Sequence, residues 1–188
     1  MDLGITGRSA LVVGPDDELG AACRRALAAE GVRLATSIGD GEVDILVAHS
    51  AAGGHPSLLD VQAAAELHQS WNVVVDTLDL FRAALPAMAS RGWGRFVFVG
   101  AAGSRSLDAI DAIDEELDAI TSLAMRAAQK VLAAEAGPAN VTANSVLRGG
   151  EATADEVAAA VTFLCSEGAG YITGVSIDVA GGVGSAVY

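Results

Sequence analysis

The chain has 188 residues, 52% of them apolar, which is enough for one buried core and too apolar for a disordered segment. Eleven basic residues against twenty-four acidic ones give a formal net charge of −13, a surface that repels phosphate backbones and anionic lipids and so excludes nucleic acid and membrane as partners. No run of eighteen uncharged residues supplies a membrane span, and residues 1–8 lack the basic and apolar regions of a secretion signal, so a cytoplasmic protein is expected. Cys23 and Cys165 stand far apart in an alanine-rich chain and read as small core residues of a reducing compartment. They make neither a disulfide frame nor a metal site.

Short β-branched runs alternate with longer alanine-rich stretches, the order of a parallel sheet covered by helices. Residues 9–14 predict a first strand, apolar on both faces. A helix over 19–30 follows, with Gly31 just past its end. Residues 33–37 predict a second strand, 38–42 a turn, and 43–48 a third strand. A long helix is expected over 61–91, kinked or broken at Pro86. Its inward stripe is Val74, Leu78, Phe81 and Leu85, with Asp76 and Asp79 facing away. Residues 95–100 predict the fourth strand. The helix over 114–136 is expected to bury Ile120, Leu123, Ala127, Val131 and Leu132. Residues 141–146 form a fifth strand, 155–166 a helix capped near Thr153, and 175–179 a sixth strand. No internal repeat or linker divides residues 1–188. The expected fold is α/β, one Rossmann-type domain with a doubly wound parallel sheet of about six strands.

Four passages resemble the short-chain dehydrogenase/reductase family over most of the chain. Residues 3–14, with Gly20 and the run ending at Gly31, are similar to that family's opening strand and helix. The run Asp44, Ile45, Leu46, Val47 matches the strand before its Asn-Asn-Ala-Gly motif. Residues 84–97, through Pro86, Gly92, Trp93, Gly94 and Arg95, match the approach to the catalytic serine strand. Residues 156–182 are similar to the C-terminal helix and strand almost in full. The resemblance implies a Rossmann fold and subunit interfaces built from the long helices and the last strand.

The residues that the family uses for chemistry differ here. The glycine turn Thr-Gly-x-x-x-Gly-x-Gly lets backbone approach a pyrophosphate at a helix N-terminus. Here the run is Val13, Gly14, Pro15, Asp16, Asp17, Glu18, Leu19, Gly20, with Glu18 at the middle glycine. Asp16, Asp17 and Glu18 suit a helix N-terminus by complementing its dipole, and as carboxylates they crowd the anion position. Two unit charges about 4 Å apart repel by roughly 4 kcal/mol at a surface-like dielectric.

Ala101 stands where the resemblance places the catalytic serine, and Asp118 and Ser122 stand at the Tyr and Lys of Tyr-x-x-x-Lys. That motif occurs nowhere, the tyrosines being Tyr171 and Tyr188. Without them no hydroxyl exchanges a proton with a carbonyl oxygen and no ammonium lowers its pKa. Asn-Asn-Ala-Gly is replaced by Ala48, His49, Ser50, Ala51. The structural asparagine of the long helix falls on Val73, with Asn72 one place off, and Pro-Gly after the fifth strand becomes Arg148, Gly149. Residues 37–43 leave no room for the family's extra strand and helix. Residues 150–156 leave none for its substrate lid. The reading assigns no catalytic, cofactor-binding or metal residue, and no cofactor.

His49 and Ser50 follow a strand's end, with His55 nearby; they read as solvated loop residues, or less simply as a relic pocket. Ser104, three residues past Ala101, could be recruited in place of the missing serine. The acidic residues Asp108, Asp111, Asp114, Glu115, Glu116 and Asp118 read as a solvated helix start and not as a cation site. Gly181, Gly182 and Gly184 lack a strand-then-helix setting and read as a turn. Three function classes remain. The first is a non-catalytic subunit, oligomeric and heteromeric with an intact short-chain dehydrogenase. The second is a divergent enzyme on this scaffold, either an oxidoreductase or a cofactor-free lyase or cyclase, and the third is a small-molecule binding module. Matching interface segments beside altered chemical ones favour the first.

Overall fold

The computed structural model describes residues 2–40, 42–50, 63–102, 116–149 and 151–182. Six parallel strands form one sheet: β1 (Ser9–Val13), β2 (Arg33–Ala35), β3 (Ile45–His49), β4 (Gly94–Ala101), β5 (Val141–Arg148) and β6 (Ser176–Val179). Their order across the sheet is β2-β1-β3-β4-β5-β6. Side chains alternate between its faces, as the pleat requires. Val47, Val97 and Val99 join one core, while Leu46, Phe96 and Phe98 join the other. That is why these strands read as unbroken apolar runs.

Helices α1 (Glu18–Ala29) and α4 (Ala154–Cys165) cover the first face, packing Leu19, Cys23, Leu27, Val157, Val161 and Leu164 onto it. Helices α2 (Ala63–Arg91) and α3 (Glu116–Ala136) cover the second with Val74, Phe81, Met88, Met125 and Ala133. The sheet is doubly wound, as expected. After β2 the chain returns past β1 through residues 36–44, which hold only a 3-10 turn at Ile38–Asp40. No strand-helix unit fits there. Likewise only five residues, 149–153, lie between β5 and α4, too few for a lid.

Local signals explain the helix ends. Thr153 and Glu156 form a reciprocal capping box at the start of α4, and Gly31 takes a φ of 77° just past α1. Both cysteines are free and buried, and burial pushes their thiols up to about 11 for Cys23 and about 12 for Cys165. They are inert core residues.

Three expectations need correction. Pro86 lies inside α2 and does not break it. Pro86 and Arg82 are both exposed, so water can satisfy the Arg82 carbonyl that the proline ring leaves without a donor. The third strand runs one residue further than expected and takes in His49. The buried face of α3 is also misassigned: Leu123, Ala127 and Val131 point outward, and Ser122, Met125, Gln129, Ala133 and Ala136 point inward. Hydrogen bonds decide this. Gln129 donates to the Ala143 carbonyl and accepts from the Ser145 hydroxyl, and Ser122 accepts from the Ala101 amide, so α3 is tied to β4 and β5 through its polar side.

Candidate functional site

In an open parallel sheet, ligands bind beyond the carboxyl ends of the strands, where the winding direction reverses. Here the reversal lies between β1 and β3, which run side by side with Val13 opposite Ala48. The ends of four strands bring together Gly14, His49, Ala101 and Arg148; His49 pairs with Val99, and Ala101 with Arg148. The expected site positions therefore do converge. Their side chains decide what the crevice can hold.

His49 fills the crevice. A Cβ on Gly14 would lie 2.5 Å from the ring atoms Cδ2 and Nε2, and one on Gly20 would lie 2.8 Å from Nε2. Both glycines are needed because the imidazole sits between them. The ring is fully buried, and neither nitrogen makes a well-formed hydrogen bond: Nδ1 stands 3.9 Å from Asp17 Oδ1, and the Ser50 backbone is the ring's other polar neighbour. Burial pushes its pKa below 6.5, against the pull of Asp17 and the Ser50 backbone and with the push of Arg24 and Arg148. The solvated-loop reading of His49 is thus wrong. Its signal was present in the sequence: the run from Ile45 continues through Ala48, and the next position in a strand buried on both faces is inside.

At the N-terminus of α1 the three acids behave differently. Asp17 is the N-cap, and its Oδ1 accepts from the Gly20 amide at 2.9 Å. It takes the donor that a phosphate oxygen would need. Glu18 turns to Arg25 at 2.8 Å, and Arg25 also meets Asp155 at 3.1 Å. Asp16 pairs with Arg24 at 3.6 Å. Only Asp17 crowds the anion position; Asp16 and Glu18 do not.

At the matched serine and lysine positions the two residues touch. The Ala101 amide donates to Ser122 Oγ at 3.0 Å, and Ser122 is fully buried. A Cβ on Gly100 would lie 2.6 Å from that hydroxyl, so the contact is tight. The pair ties α3 to β4 through backbone and offers no ionisable group. Asn72 and Val73 lie on the exposed side of α2. Gly181 and Gly182 form a turn with φ of 59° and 81°. Ser104, His55, the acidic residues 108–115 and Gly184 lie outside the described residues, as do the side chains of Glu116 and Asp118. Among the described residues no group of three or more His, Cys, Asp or Glu is placed to hold a metal, and no helix is long and apolar enough to cross a membrane.

No family model and no curated protein matches this sequence. Solved structures do match it. L-sorbose reductase from Gluconobacter frateurii, complexed with NADPH and L-sorbose, superposes with a TM-score of 0.84 at 20% identity, covering 100% of each chain. A Serratia marcescens short-chain dehydrogenase/reductase variant gives 0.73 at 24% identity, over 95% of this chain and 98% of the other. A hydroxysteroid dehydrogenase from Escherichia coli gives 0.78 at 18%, over 96% and 97%. At these identities the likeness speaks for architecture, and the architecture of this chain is the Rossmann-type fold of the short-chain dehydrogenases/reductases.

Proposed function

We propose that this chain is a non-catalytic subunit on a short-chain dehydrogenase/reductase scaffold, which assembles with an intact member of that family and stabilises or modulates it. The observation that carries the reading is the Ala101–Ser122 contact, a backbone tie at the two positions that the family resemblance matches to its catalytic serine and lysine. Two further features support it: the imidazole of His49 between Gly14 and Gly20, and the Asp17 carboxylate on the Gly20 amide. Binding a folded partner would stabilise that partner by mass action, which gives such a subunit a role without turnover.

The competing reading is a divergent enzyme on the same scaffold. What favours it is the set of structural neighbours, which are named as reductases and dehydrogenases, one of them complexed with NADPH. Calorimetric titration with NADPH and NADH, paired with quenching of Trp71 and Trp93 fluorescence, separates the two. The expected result is no binding at micromolar cofactor, and micromolar binding overturns the cofactor-free reading. Glu18→Gly alone should not restore binding, because the short crossover at 36–44 is independent of that residue. Co-expression with the short-chain dehydrogenase encoded nearest to it tests the partner. Co-purification with altered turnover is expected. Separate migration with full activity of the other enzyme overturns the heteromer, and turnover by this chain alone decides for the divergent enzyme.

A further inference from the structure

The group that closes the crevice is the one buried there poorly paired. A neutral imidazole carries one donor and one acceptor, and neither makes a well-formed hydrogen bond in His49, whose polar neighbours are Asp17 and the Ser50 backbone. Leaving a buried polar atom unpaired carries a desolvation cost that an apolar side chain filling the same space would not incur. Charged groups face the ring from each neighbouring described element: Asp17 at the start of α1, Arg24 within it, and Arg148 at the end of β5. One carboxylate attracts a protonated ring and two guanidinium groups repel it. Asp17 Oδ1 is moreover committed to the Gly20 amide and stands beyond hydrogen-bonding distance. Burial outweighs the pull of Asp17 and the Ser50 backbone, so the closed pocket disfavours an imidazolium relative to water.

We propose that His49 is an acid-released stopper, whose neutral ring closes the crevice between β1 and β3 and whose protonation drives the ring toward water and opens that crevice. This holds whether or not the chain turns over a substrate. The direction follows from proton linkage. Burial holds the closed-state pKa below 6.5, so the open state, with the ring in water, binds the extra proton more readily. Closure is complete above that value and weakens as pH falls through it. With one proton involved, the closed-to-open ratio falls at most about tenfold per pH unit.

The test is amide hydrogen exchange by NMR on the full chain, from about pH 7.5 to about pH 5.5, a window above the ordinary carboxylate range. Protection of Gly14, Gly20 and Ser50, corrected for the intrinsic exchange rate, should fall below pH 6.5 by up to tenfold per unit in the native chain. His49→Gln keeps the size and polarity of the side chain without the titration and should show flat protection. His49→Leu should do the same if the glutamine variant does not fold. The imidazole signal of His49, assigned by its loss in the variant, should titrate below 6.5 in step with those amides. Protection in the native chain that does not change with pH overturns the proposal. So does an equal fall in either variant.

Discussion

The two helical layers of this molecule are built to opposite rules. Helices α1 and α4 follow the usual one: Leu19, Cys23, Leu27, Val161 and Leu164 face the sheet, while Glu18, Arg25 and Asp155 pair with each other in water. In the other layer α3 is inverted. Ser122 and Gln129 are buried against β4 and β5, and Leu123 and Val131 stand outward, 55% and 57% exposed. Helix α2 adds Trp71, Val73 and Val75 to the same list of exposed large apolar residues. One layer is finished toward water save for Phe163 of α4, 42% exposed. The other puts hydrogen bonds on the inside and apolar surface on the outside, the pattern of a face that gains by being covered.

The sharpest way to break this comparison is to remove the inward polar group that carries it. Gln129 is fully buried, donates to the Ala143 carbonyl and accepts from Ser145 Oγ. Gln129→Ala deletes both bonds, strands the Ser145 hydroxyl and leaves a void. The expected cost is about 3 kcal/mol, read as a fall in urea midpoint at unchanged slope. If the variant is as stable as the native chain, the inverted orientation of α3 is wrong.

The same inversion marks where the sequence was legible. A strand buried on both faces announces itself as a mostly apolar run, as β3 and β4 do, while β2 and β6, largely not buried, are legible from their place between helix and turn signals. Caps announce themselves too: Thr153 with Glu156 three residues later, and Gly31 past α1. What stayed hidden was anything set by a partner distant in sequence. The orientation of α3 depends on carbonyl and hydroxyl groups of β5 that no helical periodicity contains, so periodicity alone points the apolar side inward. For His49 the apolar run that leads into it is legible, but the space that receives its ring is not. Its burial follows from Gly14 and Gly20, which lack the side chains that would otherwise occupy its space.

In the ordinary layer the expected effects are smaller. Thr153 caps α4: its hydroxyl accepts from the Glu156 amide at 3.3 Å, and the Glu156 carboxylate accepts from the Thr153 amide at 2.9 Å. Thr153→Ala should cost about 1 kcal/mol near neutral pH, measured by urea unfolding. The bonds from Thr153 hold the Glu156 carboxyl below its ordinary pKa. A carboxylate with a depressed folded pKa contributes above its unfolded value and loses that contribution as pH falls through the folded one. The gap between variant and native chain should therefore narrow in acid. A gap that stays constant from neutral to acidic pH would remove the charged half of the capping box from the account.

The smallest effect on folding should come from Ala127→Arg, and it should have the largest effect on assembly. Ala127 is exposed on α3, on the side that carries Leu123 and Val131, so an arginine there meets no core atom. Its cost to the fold should be about 0.5 kcal/mol or less. Between residues 120 and 134 only Arg126 and Lys130 are charged, so the outward side of α3 has little to keep it in water. If a second subunit covers that side, the native chain should show no stable monomer at micromolar concentration by light scattering, and Ala127→Arg should yield one with an unchanged urea midpoint. Ala133→Arg is the control. Ala133 is buried in the core between α3 and the sheet, so the same charge there should unfold the chain and not merely separate it. A native chain that scatters as a clean monomer would show that the apolar side of α3 faces water after all, and the contrast between the two layers would then be one of composition, without consequence for assembly.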